Sequence, residues 1–315
     1  VSTPARSESA AWPHLLLMGL TLSSATMFGA SLRGAIDTDQ AFSAVTQLVD
    51  GRIVLASRSI WQVLPTGLPY AIGLLAFFLS HELGHLLACR AHRVRCTSPF
   101  AIPAPPPFQL GTLGAVIMIQ DRIPSRRALF DIAIAGPIAG FVVSIALLSY
   151  ARLDVLADPT APPVAHATTS SWGVSWLTML LSAKLGTVAS AQLESHPAWC
   201  AGWVGLLATS MNLIPAGQLD GGHIVYALAP AWHRRVASAA ALFLIALSIT
   251  IWWRWNIATV WIGWALIVCL FGRRHAPLLD ENDAVNPRRV GLAVLALLIL
   301  LLCFMPHPLV IPLAD

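Results

Sequence analysis

Two histidines and a glutamate stand together as His81, Glu82 and His85 in the string HELGH. Residues four apart share one face of an α-helix, so the two imidazoles can turn towards a single metal ion, with Glu82 beside the open coordination position as a base for water. Far along the chain, Asp220 lies in SMNLIPAGQLDGGHIVYAL (210–228), where Pro215, Gly217, Gly221 and Gly222 must interrupt a helix. A catalytic Zn²⁺ needs a third protein ligand besides two histidines, and Asp220 is the natural candidate. His223 could ligate in its place or hydrogen-bond to a ligand from behind. Asn212 and Gln218 are amides that could donate to a carbonyl on which charge develops, although ordinary contacts at a helix break account for them nearly as well.

The elements that must hold these groups are apolar. The ten residues before the motif, AIGLLAFFLS (71–80), are apolar or small, and a carboxylate with two imidazoles in lipid points to function more than to a satisfied core pair. Hydrophobic residues make up 57% of the 315 and charged residues 11%, and several runs approach the roughly 20 residues that cross a bilayer, which implies a polytopic membrane protein. The net charge of +4 does not indicate nucleic acid, because the basic residues form short clusters between apolar runs, as topology signals do. Five cysteines without a CxxC pair suit small packing residues; Cys96, close to the motif in sequence, could approach a metal there. The opening VSTPARSESA lacks the features of a cleaved signal, so the first apolar run is expected to be retained as a span.

The expected architecture is all-α, with about seven transmembrane helices: 12–32, 69–90, 128–150, a broken span from 199, then 236–253, 256–271 and 290–305. Residues 96–120 are too proline-rich for a helix and too apolar for a free loop, and are read as a re-entrant, β-like hairpin. Its edge, near Gly111 and Gly114, could pair with an extended peptide, with Phe108 and Leu110 lining the groove; a proline-rich surface loop is the plainer alternative. Gly136 and Gly140, four apart, are expected to let another helix come close. The stretch 171–186 is half-apolar and expected along the membrane surface. The chain divides into an N-terminal span and extracytoplasmic loop (1–68), a catalytic core (69–235) with the hairpin (96–120) and an extracytoplasmic loop (151–198), and C-terminal helices (236–315). With the hairpin counted as no crossing, most of the 19 Lys and Arg fall on the face holding the amino terminus, which predicts that this face is cytoplasmic and the carboxyl terminus extracytoplasmic.

With HELGH at 81–85 and Asn212, Pro215 and Leu219-Asp220-Gly221 in order behind it, the chain resembles the site-2 protease family of intramembrane zinc metalloproteases. The likeness extends to PPPFQLGTLGAVI (105–117), LFDIAIAGPIAG (129–140) and GRRHAPLLD (272–280), and is to bacterial and plastid members without a PDZ domain. It implies His81, His85 and Asp220 as zinc ligands, Glu82 as the catalytic base, and cleavage of a membrane helix. The expected partners are a single-span membrane-protein substrate and the lipid bilayer, with no nucleic acid and no PDZ domain; the expected location is a bacterial inner membrane. Two other readings are a divalent-metal transporter, which would spread its ligands as a track along several helices, and an inactive scaffold, which would more often lack a ligand or the glutamate.

Overall fold

The computed structural model describes residues 12–32, 47–49, 52–54, 60–104, 110–158, 171–186, 190–256, 259–271 and 277–310. Helix α1 (Trp12–Leu32) precedes a short antiparallel pair, β1 (Gln47–Val49) and β2 (Arg52–Val54). Helix α2 (Ile60–Ala91) leads into the hairpin β3 (Phe100–Pro103) and β4 (Thr112–Val116), which is followed by α3 (Arg126–Ala157). A two-residue strand, β5 (Ser171–Trp172), is followed by α4 (Trp176–Leu185) and α5 (Ser190–Glu194). Then come α6 (Pro197–Asn212), α7 (Asp220–Leu228), a 3₁₀ turn (Pro230–Trp232), α8 (His233–Trp255), α9 (Val260–Phe271), α10 (Pro287–Cys303) and β6 (Leu309–Val310), which pairs with β5.

Four helical stretches among the described residues are long and apolar enough to cross a membrane: Trp12–Leu32, Pro65–Ala91, Arg126–Ala157 and Pro230–Trp255. The protein is accordingly a mainly helical integral membrane protein with small two-stranded sheets. Of the other expected spans, α6 has 16 residues, α9 has 12 and α10 has 17. At 1.5 Å per residue α9 extends about 18 Å, well short of a hydrocarbon core about 30 Å thick.

Helix α2 starts nine residues before the expected span 69–90 and runs through Pro65 and Pro69, which read in the sequence as a break. These two are four apart and both exposed, so the carbonyls they leave unbonded lie on one outer face, a defect that membrane helices tolerate. Helices α2, α3 and α6 pack against one another as the core, around Leu74, Phe77, Phe130, Leu148, Trp203 and Leu206, all fully buried. Helix α1 lies on α2 with backbones nearly touching: a Cβ on Gly29 would sit 2.5 Å from the Gly67 carbonyl oxygen. Helices α8 and α9 pack against each other, and α8 ends at Asn256 in the left-handed region (φ 52°).

The stretch 96–120 does form a hairpin. Phe100 pairs with Val116, Ala101 with Ala115 and Ile102 with Gly114, and the register shifts before Pro103 pairs with Thr112. Phe108 lies outside the described residues. Helix α1 holds the turn: Ser24 Oγ donates to the Gly111 carbonyl at 2.6 Å, and Tyr70 Oη of α2 donates to that of Leu110 at 3.1 Å. At the base, Arg95 grips Asp121 through its backbone N–H (2.9 Å) and its guanidinium (2.7 Å).

Candidate metal and catalytic site

The helical spacing of His81 and His85 puts both rings on the buried face of α2, with their Nε2 atoms 3.1 Å apart. Asp220, the first residue of α7, brings Oδ2 to 3.3 Å from His81 Nε2 and Oδ1 to 3.5 Å from His85 Nε2. One ligand atom from each residue lies within 4.8 Å of the others, which makes this a group of side chains that could hold a metal ion. His85 Nδ1 donates to the Ile132 carbonyl at 2.7 Å. A carbonyl can only accept, so this bond puts the ring proton on Nδ1 and leaves the Nε2 lone pair facing the cluster. The His85 nitrogen and the Asp220 carboxylate thus face each other lone pair to lone pair, with the buried His81 Nε2 beside them. A cation relieves that crowding, and two nitrogens and an oxygen are a donor set that suits Zn²⁺.

The neighbouring helix makes room for the rings. A Cβ on Gly136 of α3 would lie 2.5 Å from His85 Cε1 and 2.6 Å from Cδ2, and nearer still to Nε2. A Cβ on Gly140 would lie 3.2 Å from His81 Nδ1 and 2.8 Å from Phe77 Cε2. The two glycines accommodate imidazoles, which is more than the close helix approach that their spacing suggests. Gly84, inside the HELGH string, lets α2 touch the backbone of α3, since a Cβ there would sit 2.5 Å from the Ala135 carbonyl oxygen.

The Asp220 arm is built by the break after α6. The chain turns at Gly217 (φ 59°), and Gly221 and Gly222 pack against the carbonyls of Leu213 and Ala216, where any side chain would collide. His233, at the start of α8 and 2% exposed, donates through Nε2 to the Gly217 carbonyl at 3.3 Å. At the far end of α7, Arg126 donates to the carbonyls of Ala227 and Leu228, both at 2.7 Å, and so satisfies the end of the helix that carries Asp220. Nothing in the residue types singles out His233 or Arg126 for this work.

Glu82 is 6% exposed and hydrogen-bonded to the backbone of Ile117, the residue that follows β4. It lines a cavity of about 240 Å³ with the three clustered residues, and Ala115, Val116 and Ile117 form the wall on the hairpin side. Asn212 Nδ2 stands 3.3 Å from His81 Nε2. Gln218 and His223 also line the cavity, while His223 is not among the three residues whose ligand atoms cluster. Gly114 (φ 117°) and Gly111 (φ 73°) lie in the hairpin rather than in the cavity wall. Cys96 pairs with Ile119 and hydrogen-bonds to Cys89, away from the cluster. Asp131 ties α10 to α3 beside the site: it accepts from Arg289 of α10 at 2.7 and 2.5 Å and faces His92 Nε2 at 2.9 Å, one residue from the Ile132 carbonyl that fixes His85.

Fold and site together define a membrane-embedded protein in which a helix-borne HExxH string meets an aspartate from a broken helix. Residues 69–251 match peptidase family M50, and the chain belongs to that family, the site-2 proteases. It is 31% identical over 254 residues to the probable zinc metalloprotease EGY2, chloroplastic, of Arabidopsis thaliana, covering 78% of this chain and 43% of the relative. With the probable zinc metalloprotease EGY1, chloroplastic, of Oryza sativa subsp. japonica, identity is 38% over 160 residues, covering 50% and 27%. With EGY1 of Arabidopsis thaliana it is 30% over 251 residues, covering 78% and 44%. The chain therefore spans less than half the length of these curated relatives.

Proposed function

We propose that the chain is an intramembrane zinc metalloprotease that cuts a transmembrane helix of a single-span membrane protein. The observation that carries this is the meeting of His81, His85, Asp220 and Glu82 in one cavity whose wall is a strand edge. His81, His85 and Asp220 would hold Zn²⁺, which when bound supplies a Lewis acid that lowers the pKa of water towards neutrality. Glu82, oriented by the Ile117 backbone, takes the proton from the attacking water and returns it to the leaving amine. Asn212 donates to the scissile carbonyl oxygen, with Gln218 as a second donor, and His223 supports the cluster from its rim.

A peptide bond inside a helix is shielded, so the substrate must unwind before it is cut. The sheet of β3 and β4 has only two strands, so the edge of β4 away from β3 has no strand partner among the described residues. An extended substrate segment would pair there, beside Gly111 and Gly114. The proposed topology keeps seven crossings, with α6 and α7 together, α9 and α10 adding three to the four long helices; the short α9 would cross where the bilayer thins to meet it. The clustering of arginines supports a cytoplasmic amino terminus and an extracytoplasmic carboxyl terminus. The proposed location is a bacterial inner membrane, which rests on the motif resemblance alone, since the curated relatives above are named chloroplastic. The proposed units remain 1–68, 69–235 and 236–315.

The test is zinc content and cleavage of single-span reporter helices in membranes, for the wild type and two variants. Glu82→Gln should keep its zinc and lose about 10²–10⁴-fold in rate, as expected for removal of a general base. Asp220→Ala should weaken zinc binding beyond the roughly 10–100-fold typical of losing a supporting residue. Normal cleavage by Glu82→Gln would remove the glutamate from its role, and metal flux across liposomes without cleavage would favour a transporter.

A further inference from the structure

Asp131 of α3 holds two helix ends with one carboxylate. Arg289, in the first turn of α10, donates to both of its oxygens, and His92, just past the end of α2, stands 2.9 Å from Oδ2. Helix α10 packs on α3 and α6 and makes no comparable contact with α2. A strip of α3 therefore lies open between α2 and α10: Asp131, Ala135, Ile138 and Val142 recur every three or four residues on one helical face, and none of them is buried. On α2, Gly84 touches the strip at the Ala135 carbonyl; round the helix from Gly84 the two histidines lie one way and Leu87, 61% exposed, the other. The open groove is thus on the far side of the α2 and α3 contact from the metal cluster.

Three arginines gather at the head of this groove. Arg90 and Arg93 flank His92 in sequence, Arg288 precedes Arg289, and all three are exposed. Their side chains have no ion pair or hydrogen bond among the described residues. The carboxylates nearby are committed elsewhere: Asp131 to Arg289 and His92, Asp283 to Arg127 at 2.9 Å, Glu281 to the Tyr226 hydroxyl at 3.0 Å and Asp280 to the Asn282 N–H at 2.8 Å. Like charges brought together repel, and an anion among the three guanidinium groups relieves that repulsion.

Away from the arginines the groove offers alkyl groups: Leu87 of α2, Ala135, Ile138 and Val142 of α3, and Leu292 one turn after Arg289 on α10. A peptide laid along it would bring N–H and C=O groups that this strip cannot satisfy. Acyl chains bring none, and basic pockets between transmembrane helices suit anionic headgroups. We infer that this groove binds a phospholipid with an anionic headgroup, its phosphate among Arg90, Arg93 and Arg288 and its acyl chains along α3. The bound lipid joins α2 to α10 across α3. The site does not depend on the proposed protease chemistry.

The full chain would be reconstituted in phosphatidylcholine vesicles doped either with phosphatidylglycerol or with phosphatidylcholine carrying the same diazirine on its acyl chain, then irradiated and mapped by mass spectrometry. The ratio of labelling by the two probes at 83–91, 131–146 and 287–298 reads the headgroup preference of the groove. The reference is the same ratio at Leu16 and Leu20, exposed on α1, a helix without an arginine. In wild type the groove ratio should exceed the reference about tenfold or more. Arg90→Gln, Arg93→Gln and Arg288→Gln should each lower it about fivefold, the contribution of one arginine at a membrane surface. The triple variant should fall to the reference. Equal ratios in the groove and on α1, or a groove preference that survives in the triple variant, overturn the inference. So does cross-linking from a photoreactive residue at Val142 to a reporter substrate or to a second copy of the chain in place of lipid. Labelling of α1 should be equal in all variants, which shows that they are folded and inserted.

Discussion

Gly136→Ala sets two effects of opposite sign against each other. In an isolated helix the change should help, because glycine is about 1 kcal/mol worse than alanine in a helix interior. In this protein the added Cβ would lie 2.6 Å from His85 Cδ2, where ordinary contact begins at 3.4 Å. Relief requires the imidazole to move by roughly 1 Å, a displacement of the size that can reduce an enzymatic rate about 10²-fold. The ring has no slack, because Nδ1 is held at 2.7 Å by the Ile132 carbonyl and a shift of that size stretches the bond past a useful length. Overpacking of this kind costs about 1–3 kcal/mol, more than the helix propensity returns. Zinc binding should fall about 10–100-fold, as when the support of a metal-bound histidine is lost, and cleavage of a reporter helix should fall with it. Gly291→Ala on α10, where a Cβ meets nothing within 4 Å, is the matched control and should leave both unchanged. If Gly136→Ala retains wild-type zinc affinity and cleavage, the idea that this glycine exists to seat His85 is wrong.

Asp131→Asn removes the charge that Arg289 grips with two bonds and should lower stability by about 1.5–3 kcal/mol; thermal unfolding checks the loss, and amide exchange at the start of α10 should rise first. Ser24→Ala and Tyr70→Phe each remove one bond that holds the hairpin turn. Each should speed amide exchange in 110–116 by about fivefold, with the double variant near the product. The hydrogen bonds from Arg95 hold the Asp121 carboxyl below its usual range. A depressed carboxylate contributes above its unfolded pKa, about 3.9, and its contribution fades as pH falls through the lower folded value. Protection at 96–121, that is exchange relative to its intrinsic rate at each pH, should therefore stay flat from pH 7 down to about 4 and fall below it, and this fall should be absent in Asp121→Asn, which lacks the clamp at every pH.

The parts of the site that rest on side-chain chemistry were legible from sequence. HELGH fixes a helical face through the i, i+4 rule, and Asp220 stands out because a carboxylate in an apolar, glycine-broken segment is rare without a purpose. The supports were not legible, because Ile117 and Ile132 act through their backbones and any apolar residue there would read the same. Gly136 and Gly140 were read as a helix-packing pair, since their spacing does not say that the neighbour across the interface is an imidazole. The hairpin followed from prolines that exclude a helix and apolarity that excludes a free loop, whereas its turn is held by Ser24 and Tyr70, distant in sequence and ordinary in type. Prolines also misplaced the start of α2, because two of them on one exposed face do not end a membrane helix.

Ile117 gives the hairpin a second end. At the turn, α1 and α2 hold Leu110 and Gly111; at the exit of β4, the Ile117 backbone holds Glu82. The strand is a beam fixed at one support and loaded at the other by the glutamate itself. On the proposed function, a guest segment paired along its open edge would stiffen the beam over the length that separates the two, so that the arrival of the chain to be cut would also steady the glutamate.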